Sequence, residues 1–467
     1  MNAPFVPHLS APFLTLGIGA LVAGALASLW TGRSRRPAVA AATVAFGCFL
    51  LAARETLAGN TGRLFDPWLA WFETDALDAV PMAFFCGLTL MILILAPRRD
   101  ANGRGLAGML LLAAATEVTY GASNLVVLAA GWWLTGLPFA LSLFGHDASR
   151  KVTLGFLIAS SAALTGGIVL LHHLEIAELS HAGRLAFGLL LLAVILRKGI
   201  FPLHGWMLHA FEHGPLLPTA LLFNGHLGAL LIARSEAAAL PQSAKHALDL
   251  LSIAALATAL ITSVRAFAES KPRRLLGLLC VSQASFILAG IATANAEGIT
   301  GALIHWLVVT AASTGLIAIV RVLEVRVSGT ADPTHHLGLA VKAPRLATFF
   351  LVCGLALIGL PGTLGYCAED LLFHGALENH PWLGLALPLA TAFNAINLMR
   401  IFNTLFLGVP PKHVIGIPDA LARERWPLTV CIVFLVGGGL FPNTIIALRE
   451  QAAQVIEQSL RAPAAPR

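Results

Sequence analysis

The sequence predicts an all-α integral membrane protein, and three observations carry that expectation. Hydrophobic residues make up 57% of the 467-residue chain and charged residues only 12%, against roughly 25% charged in ordinary soluble domains; the mean hydropathy is +0.80. Apolar stretches of roughly 18 to 25 residues recur, each long enough to cross about 30 Å of hydrocarbon. They are too long and continuous for barrel strands, and helices and closed barrels are the only structures that satisfy their backbone groups in lipid. Basic residues also gather in alternate connecting loops, the mark of a polytopic chain's cytoplasmic side.

About fourteen spans follow from hydropathy, at roughly 9–31, 37–58, 78–97, 104–121, 123–144, 151–173, 183–201, 216–236, 246–267, 273–292, 298–324, 344–361, 383–408 and 427–449. One set of loops carries Arg33, Arg35, Arg36, Arg98, Arg99, Arg104, Arg150, Lys151, Lys271, Arg273, Arg274, Arg321, Arg326, Lys342, Arg345, Lys412, Arg423 and Arg425. The alternate set is acidic or nearly neutral, with Asp66, Glu73, Asp75, Glu175, Glu178 and Glu297. The positive-inside rule puts the first set in the cytoplasm and both termini on the external side of a bacterial-type inner membrane. The expected organisation is one polytopic domain over 1–467: peripheral helices in 1–100, a core in 101–410, the last span in 411–449 and an external tail in 450–467.

The formal net charge of +6 belongs to these loops, so it signals topology rather than nucleic acid; the lipid bilayer is the expected surrounding. The six cysteines lie singly with no C-x-x-C, which suggests neither disulfides nor a zinc or iron–sulfur site. Met1–Ser10 has no basic n-region, so the first apolar run reads as a retained span.

Two interrupted stretches and a few isolated ionisable residues carry whatever chemistry there is. An apolar helix ends at Arg197-Lys198, then Gly199 and Pro202 break it, and a short amphipathic piece leads through Pro215 into another span. Gly and Pro free backbone groups that lipid cannot satisfy, so such breaks sit against protein or a cavity. A helix end with cations over the negative dipole explains the first stretch equally well. The second break is Gly359-Leu-Pro361-Gly362, followed by the adjacent acids Glu369 and Asp370. Acids inside a membrane usually mark ion or proton routes; the competing reading is an external loop whose acids cap a helix start. Glu117, His226, His305 and Arg400 complete the candidate row, with Asn394, Asn397 and Asn403 as polar company for Arg400. His209-Ala-Phe-Glu212-His213 matches H-x-x-E-H, yet no third ligand follows, and no nucleotide or redox motif is present. No cofactor and no metal are expected in this chain.

The first broken stretch resembles the K-x-x-x-F-P-x-H-x-W-L-x-x-A-x-x-x-P-x-P-x-S-x-L-L segment of the proton-pumping membrane subunits of respiratory complex I, which are related to Mrp-type cation/proton antiporters. Arg197, Phe201, Pro202, His204, Trp206, Ala210, Pro215, Pro218 and Leu221 match it. Lys271-Pro-Arg273-Arg274 with Ser282-Gln283, Leu360-Pro361-Gly362 through Glu369-Asp370, and Phe393 to Gly408 resemble three further family segments, so the likeness covers roughly 100 to 410. It implies fourteen helices, two of them discontinuous, an inverted-repeat bundle and a polar midplane axis. The family's glutamate of G-W-E-x-x-G falls on Trp133, and its H-x-x-x-K pair on Thr310 and Thr314. Its first broken-helix lysine falls on Arg197, and its second broken-helix charge on Glu369. An arginine keeps its proton in nearly any environment, so switching is left to Lys198 or to the histidines.

The resemblance implies a proton-conducting membrane subunit of a complex I-like NADH:quinone oxidoreductase. It would sit among other membrane subunits, with redox work done by a soluble partner. Two alternatives stand beside it. One is the membrane subunit of a proton- or cation-coupled transporter, such as an inorganic-carbon uptake system with a soluble zinc subunit. The other is a non-conducting structural subunit.

Overall fold

A computed structural model describes residues 7–59, 63–145, 148–173, 181–234, 242–327, 336–379, 381–410 and 416–461. Glu175, Glu178 and Lys412 lie outside the described residues. Apolar sequence becomes helix almost throughout. The chain begins with α1 (Phe13–Thr31), α2 (Arg36–Gly59), a two-strand clasp of β1 (Leu64–Phe65) and β2 (Glu73–Thr74), α3 (Ala79–Leu95) and α4 (Gly103–Tyr120). Small residues let these helices close up: a β-carbon on Gly24 would lie 2.2 Å from Ala41 Cβ, the close approach by which helices associate in lipid.

Next come α5 (Leu125–Leu134), α6 (Leu137–Ala140), α7 (Ala148–His173), α8 (His181–Lys198), α9 (Gly205–His213), α10 (Leu216–Asn224) and α11 (Leu227–Ala233). The second half holds α12 (Gln242–Arg265), α13 (Pro272–Ile291), α14 (Ala296–Val327), α15 (Pro344–Leu357), α16 (Leu364–Asn379) and α17 (Pro381–Phe406). It closes with α18 (Ala422–Ile432), which runs on through a π-helical turn to Leu440, and α19 (Asn443–Arg461). Eight helices among the described residues are long and apolar enough to cross a membrane, or nine if the bent final pair counts as one.

The core is organised around α14. Its 32 residues extend about 48 Å at 1.5 Å per residue, well beyond the hydrocarbon. Nearly every side chain from Gly298 to Val320 is buried. Where it emerges among the basic loops, Arg321 grips Asp100 through two 2.6 Å contacts, and Glu324 takes Arg273 at 2.5 Å. Charges of the basic loops thus tie the starts of α4 and α13 to the end of α14.

Three expected spans come out differently. The stretch 123–144 divides at Thr135-Gly136 into α5 and a single turn, α6. The stretch 216–236 is interrupted at Gly225-His226, where His226 adopts φ 40°. The final span does not run straight to residue 449: at Phe441-Pro442 the chain bends by 84°. Beyond the bend α19 continues to Arg461, with Ala452, Ala453 and Ile456 buried. Proline cannot continue a helix's hydrogen bonding, which accounts for the place of the bend.

Candidate functional site

The first break places two neighbouring cations in different surroundings. Successive residues on a helix point about 100° apart, and Arg197 and Lys198 end α8 facing opposite neighbours. Arg197 reaches α5: its guanidinium lies 5.1 Å from the Trp132 ring centroid and donates to the Thr135 hydroxyl. Trp132 is held by its indole N–H on Ser160 at 3.1 Å. Trp133 lies on the outer surface, 42% exposed, its N–H on Thr165 at 3.0 Å.

Lys198 points the other way, and its Nζ meets His226 Nδ1 at 2.5 Å. The break at Gly225-His226 creates that contact by turning the imidazole toward α8. Tyr120 on α4 steadies the break, donating its hydroxyl proton to the Gly225 carbonyl at 2.7 Å. A glycine makes room for the lysine: a β-carbon at Gly228 would stand 2.7 Å from Lys198 Cγ. The His226 ring meets Trp306 edge-on at 5.7 Å, and its Nε2 is buried without a hydrogen-bond partner.

The second break builds a separate cluster. α15 ends at Leu357, Gly359 takes φ 68° and Gly362 φ 88°, and α16 restarts at Leu364. Glu369 lies inside α16, not in a loop or at a cap, and accepts from the Thr391 hydroxyl at 2.9 Å. The Gln283 amide takes the orientation its neighbours require. Its nitrogen then lies 3.3 Å from Glu369 Oε1 and 3.1 Å from His305 Nε2, and its oxygen accepts from Asn394 at 3.3 Å. His305 Nε2 is also 3.1 Å from the Gln283 backbone carbonyl. Gln283 therefore bridges His305 and Glu369.

Further along α14 from His305 and Trp306 the contacts are uncharged. Asn224 donates to the Thr314 hydroxyl at 2.8 Å and accepts from Ser313 at 2.9 Å. Thr310 keeps a buried hydroxyl without a partner. Glu117 is fully buried on α4, and neither carboxylate oxygen has a hydrogen-bond partner.

Two candidates stand apart. Asp370, one position past Glu369, faces outward with a half-exposed side chain, 3.7 Å from His374. Arg400 bonds the carbonyls of Ala266 at 2.7 Å and Glu269 at 3.1 Å, and Asn397 at 3.2 Å. It thereby caps the end of α12 rather than meeting Glu369. Asn394 serves Ser282 at 2.8 Å and Asn403 lends its carbonyl to His336 at 3.2 Å.

In the H-x-x-E-H segment the His209 and His213 rings are 4.5 Å apart, but Glu212 is taken by Lys271 at 2.5 Å and Arg274 at 3.2 Å. Burial acts to raise the Glu212 carboxyl, yet the Lys271 hydrogen bond and the nearby positive charges outweigh it and hold it below the usual range. No group of three potential metal ligands occurs among the described residues. Sequence reasoning missed Tyr120, Asn224, Trp306 and Thr391 as parts of these clusters. Only Asn224-Gly225, a turn-favouring dipeptide, signalled its place.

Comparison with known proteins agrees with this architecture. Residues 122–394 match the family model described as NADH:quinone oxidoreductase/Mrp antiporter, TM. The chain is 26% identical over 368 residues to the NAD(P)H-quinone oxidoreductase chain 4 2 of Synechococcus sp. (strain JA-2-3B'a(2-13)), covering 71% of this chain and 67% of that one. It is 24% identical over 332 residues to the NADH-quinone oxidoreductase subunit N of Desulforamulus reducens, covering 69% and 65%. Among solved structures it resembles a chain of respiratory complex I from Thermus thermophilus, with TM-score 0.83, 23% identity and coverage of 96% and 100%. A chain of the Mrp complex from Dietzia sp. DQ12-45-1b gives TM-score 0.78, 19% identity and coverage of 96% and 97%. The chain is a multi-pass membrane protein and belongs to the NADH:quinone oxidoreductase/Mrp antiporter transmembrane family.

Proposed function

We propose that this chain conducts protons within a larger complex I-like NADH:quinone oxidoreductase, as a bundle of about fourteen spans, two of them discontinuous, in a bacterial-type inner membrane. The observation that carries the reading is the Lys198–His226 contact at 2.5 Å. A lysine whose proton can be taken by a neighbouring imidazole is a switchable pair, whereas Arg197 stays charged. His305, Gln283 and Glu369 form the second switchable cluster, and a proton passes between the two through water where the His226 ring meets Trp306, the neighbour of His305 on α14. The basic loops face the cytoplasm and both termini face outward.

Membrane partners are supported by the outward face of α16. Tyr366, Asp370 and His374 recur there every fourth residue, with Tyr366 45% exposed and the Asp370 and His374 side chains 50% and 54% exposed. Polar side chains facing lipid are costly, so a neighbouring subunit covers them. A soluble redox chain would supply the energy.

The test is proton flux in proteoliposomes. Lys198→Ala and Glu369→Gln each abolish dye-reported flux while the protein still inserts; wild-type flux in both variants overturns the reading. The chain purified with its partners then separates the energy sources: flavin and iron–sulfur absorbance marks the oxidoreductase, a soluble zinc subunit the transporter. The uncharged Asn224–Thr314 contact favours the non-conducting alternative, which predicts no flux in the wild type either.

A further inference from the structure

We propose that the Lys198–His226 cluster opens toward the acidic-loop side of the membrane through a string of enclosed carboxylates between α3 and α4, formed by Glu117, Asp78 and Glu73. The proposal rests on the proton-conducting reading.

The string is visible as a series of buried oxygens lacking partners. Glu117 is 0% exposed and both its oxygens are without a hydrogen bond. Asp78 is 1% exposed; its Oδ2 accepts from Arg234 at 2.6 Å, while its Oδ1 has no partner. The Thr74 hydroxyl, 0% exposed, has none either. Beyond these partnerless oxygens Glu73 ends the string as a paired group, 3.1 Å from Arg63, whose side chain is 40% exposed. A buried polar atom without a protein partner costs stability unless water supplies the bond. Several in succession are what a short water chain requires.

The parts are held together by direct contacts. Arg234 ends α11 and donates to the carbonyl of Ala122 at 2.6 Å and to that of Tyr120. The Glu73 amide donates to the Gly121 carbonyl at 2.9 Å. Glu117 lies three residues before Tyr120, about 4.5 Å along the α4 axis. Tyr120 in turn bonds the residue before His226 and lies within electrostatic reach of both Glu117 and Asp78. The other titratable groups facing Glu117 and Asp78 are Cys86, Asp75 and Arg449.

The chemistry selects the proton. Arg234 stays charged and stands beside Asp78, so a hydrated metal cation meets a fixed positive charge. A proton adds the same unit of charge, but it enters a covalent O–H bond, passing from a carboxylic acid to water and from water to the next carboxylate, and needs no shell of ligands, of which no group of three occurs among the described residues. The family pattern places its carboxylate at Trp133, which faces outward here. Glu117 stands on α4 one turn before Tyr120, whose hydroxyl bonds the residue preceding His226.

The experiment follows the protonation of Glu117 itself. Full-length protein is oriented in proteoliposomes, with the Arg63 side identified by labelling an Arg63→Cys variant with a membrane-impermeant maleimide. Infrared difference spectra then isolate the carboxyl band that disappears in Glu117→Gln. The band is expected to respond to a pH jump on the Arg63 side and not on the other. Asp78→Asn is expected to slow that response by about a hundredfold, the lower range of what a positioned proton-transfer group contributes. Since Asp78→Asn leaves the buried Arg234 unpaired and so threatens folding, Thr74→Val and the double variant Asp78→Asn/Arg234→Gln are measured beside it. Response only from the opposite side, no response from either side, or an unslowed response in folded variants overturns the proposal. Flux is read separately with a pH dye: a wild type without flux whose Glu117 still follows the Arg63 side rejects conduction and keeps the string.

Discussion

Gly228 decides whether Lys198 can reach His226, because a single methyl group there would occupy the space of the lysine's Cγ. Gly228→Ala leaves every ionisable group in place but displaces the ammonium. Misplacement by about 1 Å can cost about a hundredfold in rate, so flux should fall by up to that factor while the protein remains folded; unchanged flux would separate the Lys198–His226 contact from conduction. Gly359 plays the corresponding part at the second break. Its φ of 68° favours glycine, and a β-carbon would stand 2.6 Å from Glu369 Oε2. Gly359→Ala should destabilise the protein by about 1–2 kcal/mol from the left-handed backbone, read as a lower midpoint of thermal unfolding in detergent, with loss of flux as Glu369 is pushed from Gln283. The candidate residues themselves were legible, since ionisable groups in apolar sequence stand out. Their facing was not. Arg197 and Lys198, or Glu369 and Asp370, are adjacent letters, and only the helical register sends one inward and the other elsewhere.

At the scale of elements, the breaks at Gly199-Pro202 and Gly359-Pro361-Gly362 announce themselves because glycine and proline interrupt long apolar runs. The break at Gly225-His226 is signalled only by the turn-favouring Asn224-Gly225 dipeptide, which lies inside an otherwise continuous apolar span. It persists because tertiary contacts satisfy it: Tyr120 caps the Gly225 carbonyl and Asn224 is fixed by Thr314 and Ser313. Tyr120→Phe removes one of these bonds and leaves a buried carbonyl open, at a cost of about 1–3 kcal/mol. Amide hydrogen exchange should quicken at residues 225–229 and stay unchanged in α14; uniform protection in the variant would mean that the break does not depend on Tyr120. The bend before α19 was equally hidden, although Pro442 marks its place, because hydropathy continues smoothly across it. What holds α19 down is Arg449, fully buried and donating to the carbonyls of Ala76 and Leu77 at 3.1 Å each. Sequence placed that arginine at the end of a span, where it reads as an ordinary surface cation.

For the whole molecule, composition alone was enough for the class, because 12% charged residues cannot cover a soluble protein of this size. What composition cannot show is which surface meets lipid and which meets protein, since both are apolar on average. The ridge of Tyr366, Asp370 and His374 distinguishes them. If this face of α16 met lipid, the half-exposed Asp370 carboxylate would be a standing cost, and Asp370→Leu would make the isolated chain more stable while leaving any assembly intact. If a partner helix covers it with a hydrogen-bond donor or a cation, the same substitution strands that partner group in an apolar interface. Removing one member of a buried polar pair costs about 3–5 kcal/mol, enough to weaken association by two orders of magnitude or more at about 1.4 kcal/mol per tenfold. The expected outcome is that Asp370→Leu inserts and unfolds like the wild type on its own, yet no longer brings down its neighbouring membrane subunit on affinity purification from native membranes. Retention of the full set of partners, together with a raised unfolding temperature, would instead assign this face to lipid.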